Sequence, residues 1–177
     1  LSRGLFIGRF QPFHLGHKSC IDFALSKVED LVIIVGSSQR SHELKNPFTG
    51  GERILMIKES LKTDRKIDHK RILIIPLADI NIHSIWSAYV RVMVPKYETL
   101  FTNDTFTKLL FEQEDIEIVE PPVYNRMELS GTVIRKKMLD GTPWKHLVPA
   151  EALQVIQYVD GERRVKQLSM QSRGPGG

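Results

Sequence analysis

The chain has 177 residues, with 25 Lys and Arg against 21 Asp and Glu for a formal charge of +4, 41% hydrophobic residues and a single cysteine. That length fits one domain, residues 1–177, able to bury a core without staples, and one cysteine excludes an internal disulfide and any CxxC redox or zinc motif. The charge excess is weak for a dedicated nucleic-acid binder and suits a small polyanion, while the longest apolar run, Leu31 to Val35, falls far short of the roughly 20 residues of a membrane span. The expectation is a cytoplasmic domain with no membrane or nucleic-acid partner, in which Cys20, set among apolar and helix-forming residues, is a small buried thiol.

Leu5-Phe6-Ile7-Gly8 reads as a buried strand, and Leu31 to Gly36, β-branched through its centre, as a second. Between them Ile21, Ala24, Leu25 and Val28 recur at helical spacing, so the opening is a βαβ unit. A helix from about Glu52 to Leu61 turns Ile54, Ile57 and Leu61 inward, a charged connector runs from Lys62 to Arg71, and Ile72 to Ile75 forms a third strand. This alternation predicts a parallel sheet. Ile85, Ala88, Tyr89, Val92 and Met93 form the stripe of an amphipathic helix that Pro95 stops. Thr99 to Thr102 and Ile116 to Val119 are the fourth and fifth strands, flanking a short helix near Phe106 to Phe111. Beyond Pro121-Pro122 the pattern turns helical from about residue 130, with Ser130-Gly131 opening one helix and Pro149 another. The fold class is α/β, a doubly wound parallel sheet with a helical C-terminal part. Ligands of such sheets bind beyond the carboxyl ends of the strands, where strand order reverses.

The first strand leads into Gly8-Arg9-Phe10-Gln11-Pro12-Phe13-His14-Leu15-Gly16-His17. Gly8 lets a ligand approach the backbone, Pro12 stiffens the turn, and His14 and His17 share a face at a helix N-terminus, beside free N–H groups and the positive end of the dipole. That chemistry suits phosphate, since neutral imidazoles donate and protonated ones add charge. Neither GxGxxG nor GxxxxGK[ST] is present. Two structural histidines, or two ligands of a metal site, are the alternative readings, and no third ligand lies nearby in sequence.

His14-Leu15-Gly16-His17 resembles the HxGH signature of the nucleotidyltransferase superfamily. The fuller string resembles the GRFQPFHxGH of archaeal-type nicotinamide-nucleotide adenylyltransferases. Leu129-Ser130-Gly131-Thr132-Val133-Ile134-Arg135, about 115 residues later, resembles the second signature, ISGTxIR. The segment from Gly36-Ser37-Ser38-Gln39 to Asn46-Pro47-Phe48-Thr49-Gly50-Gly51-Glu52-Arg53 is similar to the family's GSxQxSHxxxNPFTxGER.

The resemblance implies a Rossmann-like nucleotidyltransferase that joins AMP from ATP to nicotinamide mononucleotide, giving NAD and pyrophosphate by direct in-line attack, with Mg²⁺ carried by the ATP phosphates. Nicotinate mononucleotide is a second possible acceptor. His14, His17, Arg9, Arg135 and Lys45 would then serve catalysis. Gly8, Phe10, Ser130, Thr132, Tyr124 and Arg126 would meet ATP, and Phe13, Gly36, Ser37, Ile80, His83 and Trp86 the pyridine nucleotide. Trp86 would stack on the pyridine, or be core; Tyr124 would flank adenine, or pack beneath the sheet. Lys45 stands where some relatives carry arginine, losing the two-pronged fork, and His83 where relatives often carry asparagine. Asn103 is retained from the family's glycine-asparagine-proline turn. Glu52 and Arg53 read as ordinary first-turn helix residues. Relatives form symmetric oligomers, so a homo-oligomer is expected. Two other readings stand beside this one: the same chemistry on a pantetheine, flavin or cytidylyl-type acceptor, and a non-catalytic nucleotide or RNA-binding module. The Trp86 loop opposes the first, and the lack of a KMSKS-like loop or an interleaved aromatic and basic stripe opposes the second.

Overall fold

The computed structural model describes residues 2–123 and 128–172. Its sheet contains β1 (Arg3–Gly8), β2 (Asp30–Val35), β3 (Ile72–Pro76), β4 (Thr99–Phe101) and β5 (Glu117–Val119), all parallel, in the order β3-β2-β1-β4-β5. Among the described residues seven α-helices accompany it: α1 (Leu15–Leu25), α2 (Gly50–Lys62), α3 (Trp86–Met93), α4 (Thr105–Phe111), α5 (Gly131–Asp140), α6 (Ala150–Tyr158) and α7 (Gly161–Ser172). The sheet is thus doubly wound, with the helical C-terminal part the sequence predicts.

The β2 sequence explains the layering. Successive side chains of a strand point to opposite faces. Leu31, Ile33 and Val35 enter a core with residues of α1, α2, α5, α6 and α7, while Val32 and Ile34 enter another with Leu77, Val90, Val94 and Phe111. An apolar run without alternation is what a strand covered on both faces requires.

Capping side chains fix where the helices begin. Thr49 Oγ1 accepts from the Glu52 N–H at 3.1 Å while the Glu52 carboxylate accepts from the Thr49 N–H at 2.9 Å, a reciprocal box at the start of α2. Ser130 caps α5 through the Val133 N–H, and Asp104 caps α4 through the Thr107 N–H. Arg164 of α7 grips both oxygens of Glu52 at 2.7 and 2.9 Å and also reaches the Pro47 carbonyl, binding the last helix to the start of α2.

Helix α3 departs from the expected facing. Its buried residues are Ser87 and Val90, continued by Val94, whereas Val92 is 81% exposed and Ile85 and Met93 are also exposed. The segment carries apolar residues on two stripes of equal period, and the sheet covers the one whose first member is a serine. No helix among the described residues is long and apolar enough to cross a membrane.

Candidate active site

The chain winds from β1 through β2 to β3 on one side of the sheet, then returns to β4 and β5 on the other, so strand order reverses between β1 and β4. The loops leaving these two strands diverge and open a crevice. It has two lobes, of about 320 and 470 Å³, which share Ile7 at the end of β1 and Asp104 after β4. Each lies in the size range of small-molecule sites.

The first lobe is walled by the start of α1 (His14, Gly16, His17, Cys20), the β4 loop with Asn103, and the start of α5 (Ser130, Gly131). His14 Nδ1 accepts from the His17 N–H, and His17 Nδ1 accepts from the His14 N–H, each at 3.3 Å. This is a capping box made of two imidazoles, which stack with ring centroids 3.6 Å apart. Because both Nδ1 atoms accept, each neutral ring carries its proton on Nε2, the nitrogen left to donate to a ligand. Burial pushes the His14 pKa down to about 4, and burial together with the neighbouring His14 holds His17 well below its ordinary value. The pair is therefore neutral at pH 7, two N–H donors at the positive end of a helix. Arg135 of α5 lines neither lobe and donates to the Gln11 carbonyl at 2.7 Å. Burial and then the charge of Arg9 lower the Arg135 pKa. A Cβ at Gly131 would stand 2.8 Å from that same carbonyl, so only glycine lets α5 start this close to the first loop.

The second lobe is lined by Gly8, Arg9, Gly36, Ser37, Asp79, Ile80, His83 and Trp86, with residues of α4 closing it. Asp79 accepts from Ser37 Oγ at 2.8 Å, Gln39 Nε2 at 3.3 Å and Arg40 Nε at 3.2 Å, which fastens the β2 loop to the β3 loop. His83 meets the Phe106 ring edge-on at 5.4 Å, and Trp86 is half-buried beside Tyr89.

The structure places the other expected residues at varying distances from the two lobes. Phe10 and Phe13 are 1% and 0% exposed and line neither lobe; their rings pack on His17, with centroids 4.7 and 5.8 Å away, and support it from within. Gly8 lines the second lobe, and the space a Cβ would take there is filled by the Phe10 ring at 2.8 Å, so the glycine serves packing. Arg9 likewise lines the second lobe. Lys45 is exposed in the β2 loop and lines neither lobe. Thr132 is exposed and its hydroxyl accepts from Arg135 at 3.4 Å. Tyr124 and Arg126 lie outside the described residues.

Sequence reasoning missed three contributors. Gln11 is buried and pairs with the Phe48 backbone in both directions, at 2.8 and 2.9 Å, clipping the first loop to the β2 loop. Asp104 stands where the lobes meet. Arg53 is no ordinary first-turn residue: it is fully buried, and its guanidinium donates to backbone carbonyls of both loops. A cation near the N-terminus of a helix opposes the dipole, which was the available signal that Arg53 is held by something else. Among the described residues no group of three His, Cys, Asp or Glu side chains could hold a metal ion.

Residues 5–137 match the Cytidylyltransferase-like family. The chain is 43% identical over 168 residues to the nicotinamide-nucleotide adenylyltransferase of Methanococcus aeolicus, covering 95% of each chain. It is also 43% identical over 170 residues to the enzyme of the same name from Archaeoglobus fulgidus, covering 94% of this chain and 97% of that one. Among solved structures, the bifunctional NMN adenylyltransferase/ADP ribose pyrophosphatase of Francisella tularensis, crystallised with AMP and a manganese ion, superposes with a TM-score of 0.81 at 24% identity; the match covers 97% of this chain and 53% of that longer one. The Plasmodium falciparum nicotinic acid mononucleotide adenylyltransferase gives 0.65 at 11% identity, covering 92% and 97%. These two likenesses show a common fold. With relatives matched over nearly their whole length, the chain belongs to the Cytidylyltransferase-like family and, within it, to the nicotinamide-nucleotide adenylyltransferases.

Proposed function

We propose that the protein transfers AMP from ATP to nicotinamide mononucleotide, forming NAD and releasing pyrophosphate. The observation that carries this reading is the divided crevice: two nucleotide-sized lobes meet at Ile7 and Asp104, and a neutral pair of imidazole donors walls one of them. The first lobe takes ATP and the second takes the mononucleotide. An oxygen of the mononucleotide's phosphate attacks the α-phosphorus in line, the bond from that phosphorus to the bridging oxygen breaks, and pyrophosphate leaves. The attacking phosphate is already ionised at neutral pH, so no general base is needed, and catalysis is positioning plus charge stabilisation. The Nε2–H groups of His14 and His17 donate to the triphosphate. Arg135 supplies positive charge to the triphosphate, Arg9 supplies it to the acceptor's phosphate from the second lobe, and Lys45 is a further cation for the phosphates. Ser130 and Thr132 offer hydroxyl donors. Mg²⁺ would be carried by the ATP phosphates, where it would neutralise charge on the triphosphate.

On the acceptor side, Trp86 offers an aromatic face to the cationic pyridine ring and His83 a donor or acceptor to its substituent, with Gly36, Ser37 and Ile80 completing the wall. Nicotinate mononucleotide is tested as a competing acceptor. A homo-oligomer and a cytoplasmic location remain part of the proposal. The exposed apolar residues Ile85, just before α3, and Val92 and Met93 on it are where a second copy would bury surface, and Cys20 is a free thiol. Sedimentation of the purified protein checks the first point.

The deciding assay incubates the protein with ATP, MgCl₂ and nicotinamide mononucleotide and follows NAD and pyrophosphate, which should appear in equal amounts. His17→Ala should lose about 10²-fold or more in turnover while keeping its circular dichroism, the usual loss for a charge-stabilising donor. Absence of NAD from the unmodified protein sinks the reading; near-normal turnover in the folded variant sinks the role of His17.

A further inference from the structure

Arg53 is 0% exposed, and among the described residues it has no carboxylate within ion-pair distance. All its bonds go to backbone carbonyls: Nη1 donates to Arg9 and Gly36, both at 2.8 Å, Nη2 to Ser37 at 3.0 Å and Arg40 at 3.4 Å, and Nε to Thr49 at 3.1 Å. Burial, with the charge of Arg9 second, brings its pKa down to about 10, so it remains a cation. Burying an unpaired cation is costly, and an apolar side chain of similar volume would serve a core better. Shape is what this arrangement supplies. Arg9, Gly36 and Ser37 all line the second lobe, and no residue whose carbonyl Arg53 holds lines the first. Ser37 adopts a left-handed φ of 47°, a conformation unfavourable for an L-residue that must be held from outside. Its carbonyl is held by Arg53 and its hydroxyl by Asp79.

We propose that Arg53 is a positioning residue for the second lobe alone, its guanidinium setting the spacing between the β1 and β2 loops so that Arg9, Gly36 and Ser37 meet the acceptor nucleotide in one arrangement. The identity of that ligand rests on the functional reading above. Lysine at this position keeps the charge but presents three donors from one point and cannot span two loops.

The test uses Arg53→Lys. Dissociation constants for nicotinamide mononucleotide and for MgATP are measured separately by tryptophan fluorescence, with KM and kcat alongside. Trp86→Phe titrated with the same two ligands reports which one occupies the second lobe. The mononucleotide should bind about tenfold or more weaker to Arg53→Lys, and MgATP within about twofold of its usual affinity, since small misplacements of positioning groups carry losses of this order. Equal weakening of both ligands, or a lower melting temperature with both affinities unchanged, overturns the proposal. Weakening of MgATP alone, with Trp86→Phe altering the same ligand, supports the role of Arg53 and overturns the lobe assignment. A variant that does not fold leaves a measurement on the unmodified protein. In native-state hydrogen exchange the amides from Gly36 to Arg40 should open together with the first turns of α2; a loop that exchanges freely while those turns stay protected overturns the proposal.

Discussion

Acid should loosen this protein through the histidine pair before it reaches the carboxylates. The His14 imidazole has an ordinary value of 6.5 and a folded value of about 4. The unfolded chain therefore takes up the proton first, and stability that is complete above about pH 7 drains away as the pH falls from about 6.5 towards 4. At pH 5 the unfolded imidazole is almost fully protonated and the folded one hardly at all, which costs about 2 kcal/mol, rising to about 3 kcal/mol below pH 4. Glu52 and Asp64 act in a lower window: their folded values lie below their ordinary 4.5 and 3.8, so the stability they contribute is lost only as the pH drops through that range. Urea unfolding at pH 7.5 and pH 5 thus isolates the imidazoles. The comparison protein is His14→Asn, which does not titrate and still offers an oxygen to the His17 N–H. The unmodified protein should lose about 2 kcal/mol more than this variant between the two pH values. Equal losses, or a His14 ring whose NMR signal titrates near pH 6.5, would refute the argument that burial keeps the pair neutral.

Two further outcomes follow from contacts already described. Trp86→Ala should raise KM for the mononucleotide about tenfold or more with KM for ATP little changed, in line with the roughly 1–3 kcal/mol lost when a base loses its aromatic partner; equal changes would return Trp86 to the core. Arg164→Met leaves Glu52 without its grip in a site where the two side chains are 19% and 17% exposed. Burial by itself raises the Glu52 carboxyl, and the bonds from Arg164 and the Thr49 N–H overcome that and hold it low. Losing the partner should cost about 2 kcal/mol in urea unfolding, less than a fully buried pair because water reaches this one; an unchanged midpoint would show that α7 is held by packing alone.

What could be read from the sequence divides along a physical line. The centres of β1 and β2 are uninterrupted apolar runs of the kind a sheet covered on both faces uses, so the architecture was readable from them; β3 is as apolar but is not the buried strand expected, since it lies at the sheet edge with Leu73 46% exposed. The histidines of the first loop announce a phosphate site because their chemistry and spacing are local. Gln11 and Arg53 were not readable, since all their side-chain partners but the Thr49 carbonyl are backbone groups 13 to 44 residues away, which no spacing encodes. Phe10 and Phe13 misled for the opposite reason: aromatic residues beside a ligand loop look like contacts, and burial makes them the floor under His17. On α3 two apolar stripes of one period competed, and periodicity alone does not say which of them the sheet will cover.

The grip of Arg164 on Glu52 also bears on synthesis. The crevice is built mostly from the first two thirds of the chain, and the ribosome delivers β1, β2 and α2 long before it delivers α7. Until that helix emerges, Glu52 and the Pro47 carbonyl lack the guanidinium that joins them, although the Gln11 clip and the bonds of Arg53 can already form. A nascent chain would therefore carry a partly assembled crevice before its outer brace arrives, and the emergence of α7 becomes the moment at which the start of α2 is locked.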